Sequence, residues 1–164
     1  MDPAHFSAQE ILEMAVDIEE NGEKFYTAAS DAATNPSLKE LFTFLAEEEK
    51  RHVKFFTSLK KDASDAALPG AFDPYPEEAS LYLKALADSK VFTAPEEGGG
   101  FAKAAENETT ALSYAIDMEK ESLLFYFELQ NAIREKDRKT LGEIINEEKE
   151  HLKKLTGMKM ELSG

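Results

Sequence analysis

Ala15-Val16-Asp17-Ile18-Glu19, followed by Phe25-Tyr26, returns at an offset of 100 residues as Ala115-Ile116-Asp117-Met118-Glu119, followed by Phe125-Tyr126. Glu48-Glu49-Lys50-Arg51-His52 returns at an offset of 99 as Glu147-Glu148-Lys149-Glu150-His151. Self-similarity at this spacing marks two related units. Each unit holds one Glu in its first segment and one Glu-x-x-His in its second.

Both segments of each unit read as helices. Ser7-Ala8-Gln9-Glu10 has the form of a capping box, and Ile11, Leu12, Ala15, Ile18, Gly22, Phe25, Tyr26 and Ala29 come after it at helical spacing. This helix is expected to run to about Ala33, where Thr34-Asn35-Pro36 breaks it, with Asn35 as cap and Pro36 as first residue of the next. The second helix carries Leu38, Leu41, Phe42, Leu45, His52, Phe55, Phe56 and Leu59, and frays around Ala63–Ala67. A third is expected from about Lys103 through Leu112, Ala115, Ile116, Leu123, Tyr126, Leu129 and Ile133. The fourth, after Glu135-Lys136-Asp137, carries Leu141, Ile144, Ile145, Leu152 and Leu155. No stretch alternates as a strand would.

Between the pairs lies a crossover punctuated by Pro69, Pro74, Pro76 and Pro95 and closed by Gly98-Gly99-Gly100. Glu77–Lys90 can form one short helix there. The glycine triplet lacks a GxxxxGK[ST] frame and a preceding strand, so it reads as a flexible linker rather than a phosphate loop. The expected architecture is all-α, a four-helix bundle of two hairpins (about 7–63 and 103–161) joined by a long crossover (about 64–102). One domain over 1–164 is expected, a size that buries roughly 70% of its unfolded surface.

The phase of the repeated acids carries the functional reading. Glu19 lies four residues after Ala15 and seven before Tyr26, inside the apolar stripe. Glu49 follows Leu45 by four and Phe42 by seven, with His52 a turn further on. Glu119 follows Ala115 by four, and Glu148 follows Ile144 by four, with His151 a turn on. All six therefore point into the core. Lys50 and Lys149 sit about 100° round the helix from their neighbouring Glu and offer no counter-charge. The midpoint of Glu19 and Glu49 falls at position 34, in the first turn, and that of Glu119 and Glu148 between 133 and 134, at the second. Each hairpin thus brings its Glu level with its own Glu-x-x-His.

Four buried carboxylates must protonate, pair or bind a cation. A single Glu-x-x-His in an acidic helical chain is ordinarily a surface pair. Two copies in register with two further core-facing glutamates point instead to a metal site. Four carboxylates and two imidazoles suffice for two ions sharing bridging carboxylates. Imidazole disfavours a pure Mg or Ca cage, and the absence of thiolates disfavours structural zinc, which leaves iron first, then manganese or a mixed pair. The remaining histidine, His5, has no partner pattern and is expected at the surface.

Composition narrows the rest. The chain has 164 residues, 42% hydrophobic and 32% charged, with no Cys and no Trp. That excludes a disulfide scaffold, an iron–sulfur site and a cysteine nucleophile. Thirty-three acids against 19 bases give a net charge of −14, which repels nucleic-acid phosphates and anionic lipid. The longest apolar run, Leu123–Phe127, is too short to span a bilayer. Met1-Asp2-Pro3-Ala4-His5 shows no secretory signal, so a cytoplasmic address is expected.

With these motifs the sequence resembles the rubrerythrin-related members of the ferritin-like superfamily, the stand-alone kind without a rubredoxin domain. The resemblance rests on Ala15–Tyr26, Pro36–Phe56, Ala115–Tyr126 and Glu143–Leu155. It implies two irons bridged by Glu49 and Glu148, with Glu19, Glu119, His52 and His151 as terminal ligands. It also implies that Tyr26 hydrogen-bonds a ligand, with Tyr126 its repeat equivalent; core packing with a hydroxyl near the polar centre is the alternative for both. Two departures stand out. Rubrerythrins carry a further carboxylate where this chain has Ser122, and their four-cysteine domain is missing, so electrons must come from a separate donor protein. The crossover is longer than in ferritins, which argues against a ferritin cage.

The resemblance implies a di-iron oxidoreductase that reduces hydrogen peroxide or dioxygen, a role in oxidative stress. The competing readings are an iron-binding ferroxidase for iron handling or storage, and a metal-free interaction bundle. A homodimer is expected, with the Gly98–Gly100 hinge allowing hairpins to exchange between chains.

Overall fold

A computed structural model describes residues 8–65, 82, 85–86, 95–96, 100–133 and 135–164. Among them are five α-helices and no strand: α1 (Ala8–Ala32), α2 (Pro36–Asp65), α3 (Gly100–Glu106), α4 (Glu108–Ala132) and α5 (Glu135–Ser163). The four long helices form the expected bundle, α1 packing chiefly on α2 and α4 on α5. Ser7 of the capping box lies outside the described residues. So does the short crossover helix, apart from Tyr82, Ala85 and Leu86, which are helical, with Leu86 packed against the core.

The turn of the first hairpin forms as its residue types dictate. Asn35 Oδ1 accepts from Leu38 N–H at 3.1 Å, satisfying one orphan donor at the start of α2, and Pro36 occupies a position that needs no N–H. The carboxylate of Glu108 ties this turn to the second hairpin. Its Oε1 accepts from the backbone N–H groups of Asn35 (2.7 Å) and Thr34 (2.9 Å) and from the Thr34 hydroxyl (3.1 Å). The Asn35 amide leads in holding the Glu108 carboxyl below the usual range.

The third long helix differs from expectation. It starts at Glu108 rather than Lys103, because Asn107 adopts extended backbone (φ −166°, ψ 164°) and its side chain accepts from Thr110 N–H at 2.8 Å. The preceding residues form the separate α3. Gly100, assigned to a flexible linker, is buried at the start of α3, and a Cβ there would lie 3.0 Å from Pro95. Gly98 and Gly99 lie outside the described residues. Asn107→Ala should cost about 1 kcal/mol of unfolding free energy in a denaturant titration.

The apolar core is divided. One cluster joins Ile11, Leu12, Ala15 and Ile18 to Phe56, Leu123, Tyr126, Leu129, Leu141 and Ile144. The other joins Phe25, Tyr26 and Ala29 to Leu38, Phe42, Leu45, Leu112, Ala115 and Leu155. Along every long helix the two clusters are separated by one level, and that level holds Glu19, Glu49 with His52, Glu119, or Glu148 with His151. No helix of the described residues is long and apolar enough to cross a membrane.

Candidate metal centre

All six acids and imidazoles singled out by the repeat are buried, each at most 4% exposed. The hairpin register brings His52 Nδ1 to 3.3 Å from Glu19 Oε2, and His151 Nδ1 to 3.7 Å from Glu119 Oε1. The two Glu-x-x-His helices also meet. His52 Nδ1 lies 2.8 Å from Glu148 Oε1, and His151 Nδ1 lies 3.7 Å from Glu49 Oε1. The imidazole rings face each other at 6.1 Å with an interplanar angle of 21°.

Two quartets could each hold a metal ion: Glu19, Glu49, His52 and Glu148, and Glu49, Glu119, Glu148 and His151. Within each, one donor atom per residue lies within 4.8 Å of the others. Glu49 and Glu148 belong to both, the position a bridging carboxylate requires.

The donor atoms themselves test the fit. Glu19 Oε2, His52 Nδ1, Glu148 Oε1 and His151 Nε2 are buried without a hydrogen-bond partner. Such atoms are costly to leave unsatisfied. His52 Nδ1 and Glu148 Oε1 approach to 2.8 Å yet are not aligned as donor and acceptor. Glu19 Oε2, His52 Nδ1 and Glu148 Oε1 face one another within the His52 quartet, a gathering that suits a cation. The donors are oxygen and imidazole nitrogen with no sulfur, a set suited to first-row divalent cations.

On the side chains alone, four groups of the cluster hold their protons more tightly than usual. Burial, then the neighbouring Glu148 carboxylate, push Glu49 and Glu119 well above the normal carboxylate range. Burial works against charge on His151, but Glu119 and Glu148 outweigh it and its pKa is pushed up to about 11. His52 is likewise raised against its burial, chiefly by Glu19 and Glu148. Burial also opposes ionisation of Glu148, but the hydrogen bond with His151 and the closeness of the His52 imidazole hold it below the usual range.

The tyrosines act crosswise. Tyr26 O–H donates to Glu119 Oε1 at 2.5 Å, and Tyr126 O–H donates to Glu19 Oε1. Each phenol therefore serves the other hairpin's glutamate and not the one on its own helix. Burial, then the charge of those glutamates, lift both phenols well above 10, so both remain donors.

Three participants escaped the sequence reading. Glu147 Oε2 lies 2.8 Å from His52 Nε2, Glu48 Oε2 lies 4.0 Å from His151 Nε2, and Arg51 Nη2 bridges the two carboxylates at 2.8 and 2.7 Å. The available signal was the repeat itself, since Glu48 and Glu147 precede the two shared glutamates at equivalent positions. Gly22 is a fourth position of consequence. A Cβ there would meet Glu49 Cγ and Cδ at 3.3 Å, so that side chain would have to shift by a few tenths of an ångström to make room. Gly22→Ala is expected to weaken metal binding about tenfold, the scale for disturbing a ligand's support, measured by competition with a chromophoric chelator.

Helical hairpins that surround two buried carboxylate–histidine quartets define a dimetal-carboxylate four-helix bundle of the ferritin-like class. The sequence model of the rubrerythrin family matches residues 10–159, and the chain belongs to that family. The structure is similar to a crystal structure of a Thermotoga maritima protein proposed to be a ferritin-like diiron-carboxylate protein. The two share 30% identity at a TM-score of 0.66, over 96% of this chain and 97% of that one. No curated protein matches the chain significantly.

Proposed function

We propose that the protein is a di-iron oxidoreductase of the rubrerythrin type, reducing hydrogen peroxide or dioxygen with electrons from an external donor protein. The observation that carries this reading is the convergence of six buried donors from four helices, three of whose atoms meet without hydrogen-bond partners. Glu49 and Glu148 would bridge the two irons, and Glu19, His52, Glu119 and His151 would complete the set. When bound, such a pair supplies two electrons and open coordination positions to a small oxidant.

The chain's own groups do the rest. The Tyr126 hydroxyl holds one oxygen of Glu19 and leaves the other beside His52 Nδ1, while the Tyr26 hydroxyl holds the Glu119 oxygen that lies on the His151 side. The two apolar clusters exclude water above and below. A void of about 10 Å³ lies against Glu49 and Glu119, lined by Ile18, Gly22, Tyr26, Met118 and Ser122. That is about the room one water needs, which favours an oxidant of one or two heavy atoms. These 164 residues carry no cysteine, and on this reading the electrons come from a separate donor protein. A cytoplasmic, reducing setting goes with this reading.

Ser122, whose hydroxyl donates to the Met118 carbonyl at 3.0 Å, stands where rubrerythrins carry their extra carboxylate. It favours a second reading, Fe(II) oxidation for iron handling. Size exclusion with iron analysis separates the two: a small oligomer with two irons per chain supports the first, and a large assembly with many supports the second. Stopped-flow mixing of anaerobically Fe(II)-loaded protein with peroxide tests the chemistry. Oxidation faster than that of free Fe(II) is expected, and equal rates would overturn the proposal. Metal analysis of protein purified without added metal distinguishes iron from manganese.

A further inference from the structure

The ligands of the two repeats are equivalent, but the settings of the two histidines are not. Behind His52, the Nε2 nitrogen lies 2.8 Å from Glu147 Oε2, and the same oxygen accepts from Arg51 Nη2 at 2.8 Å. Glu48, the counterpart of Glu147, is held by Arg51 at 2.7 Å and stands 4.0 Å from His151 Nε2, beyond hydrogen-bond range. Arg51 has no basic counterpart in the second repeat. Its equivalent is Glu150, an exposed residue paired with Lys153. His151 has Phe44 edge-on at 6.2 Å, with Lys154 over that ring, whereas the residue equivalent to Phe44 is Glu143.

The imidazoles respond in opposite ways. His52 places its outer nitrogen on Glu147, which leaves Nδ1 unpartnered and facing the carboxylates. His151 engages its inner Nδ1 with Glu148 Oε2 at 3.0 Å and leaves its outer nitrogen without a partner. The other two unpartnered atoms, Glu19 Oε2 and Glu148 Oε1, also lie on the His52 side, at 3.3 and 2.8 Å from His52 Nδ1. One quartet therefore has a ring nitrogen and two carboxylate oxygens turned to one another with no hydrogen bond to give up. The other must first give up the contact between His151 Nδ1 and Glu148 Oε2, and Glu48 stands too far off to hold its outer nitrogen.

We propose that the two metal positions are unequal, and that Glu147, steadied by Arg51, is the positioning residue that makes the His52 quartet bind its divalent cation first and more tightly. This rests on the dimetal reading of the centre. An N–H donated to a carboxylate fixes the tautomer and raises the basicity of the other ring nitrogen, and loss of such a partner costs about 10–100-fold in metal affinity.

Titration of chelator-stripped protein with Co(II), followed by visible absorption and calorimetry, tests it without any redox step. Two steps of one ion each are expected, separated by about tenfold or more. His52→Ala should remove the tight step and His151→Ala the weak one. Glu147→Ala should weaken the first step about 10–100-fold and leave the second nearly unchanged. Glu147→Gln, whose carbonyl still accepts from Nε2, should restore part of that loss. Arg51→Gln, at an exposed position, provides a variant whose folding is not in question and should narrow the gap between the steps. Two equal steps, or equal weakening of both by Glu147→Ala, would overturn the inequality while leaving the dimetal reading standing. No Co(II) binding by the unaltered protein would overturn both.

Discussion

Glu49→Gln combined with Glu148→Gln should abolish metal binding and, with it, the largest stabilisation available to this protein. Both carboxylates belong to both quartets, so no pair of ions can be held once they are amides. A ligand present at 1,000 times its dissociation constant adds about 4 kcal/mol to folding stability, and two ions add more. For a chain of this size about 1 kcal/mol moves Tm by about 2–4 °C, so metal should raise the Tm of the unaltered protein by about 10 °C or more. The double variant should show no such rise. Stripped of metal, it should melt below the stripped parent: Glu49 resists ionisation and its amide costs little, but Glu148 carries the negative charge that both imidazoles face, and its amide leaves them buried without it. Calorimetry of the four samples checks both halves. A metal-induced Tm rise that survives in the variant would place the ions elsewhere.

The pH dependence of stripped and loaded protein should run in opposite directions. Glu49, Glu119, His52 and His151 all have folded-state pKa values above their ordinary ones. Each binds its proton more tightly when folded. Their stabilisation is complete below the unfolded values, 4.5 for the carboxyls and 6.5 for the imidazoles, and is lost as pH rises through the folded ones. Glu147 and Glu148 are shifted down, so their contribution is complete above 4.5 and constant at neutral pH. Stripped protein should therefore gain stability between about pH 8 and about pH 5, at up to about 1.4 kcal/mol per proton per pH unit. Loaded protein should lose stability over the same interval, because cations must displace two carboxyl and two imidazolium protons to bind. An indicator-dye titration at neutral pH should register up to four protons released as two ions bind. Release of none, or parallel pH profiles, would contradict the protonated cluster.

The repeat made most of this centre legible. A helix turns by a known angle per residue, so the phase of Glu19 against Ala15 and Tyr26 states which way it points without any knowledge of its neighbours. A hairpin with its turn at Asn35 sets Glu19 beside Glu49 and His52 by symmetry alone. What the chain conceals depends on how helices rotate against one another. Glu48 and Glu147 lie on the flanks of α2 and α5, and nothing in their spacing says that they reach across to the other helix's histidine. The same holds for Tyr26, whose target on Glu119 belongs to the opposite hairpin. The start of α4 was hidden for a local reason. Phe101–Glu106 is as good a helix former as the first turns of α4, and one side-chain oxygen on Asn107 restarts the helix.

The crossed phenols have a mechanical consequence. Sliding one hairpin along the other by a single helical turn, about 5.4 Å, would sever both hydroxyl–carboxylate contacts at once. It would also carry charged groups into layers where only aliphatic and aromatic side chains meet. Intermediate offsets satisfy neither contact, so the two halves have one longitudinal alignment and no gradual route to another. The tyrosines thus interlock the hairpins as a bolt locks a sliding door, and the donors stay opposed whether or not an ion lies between them.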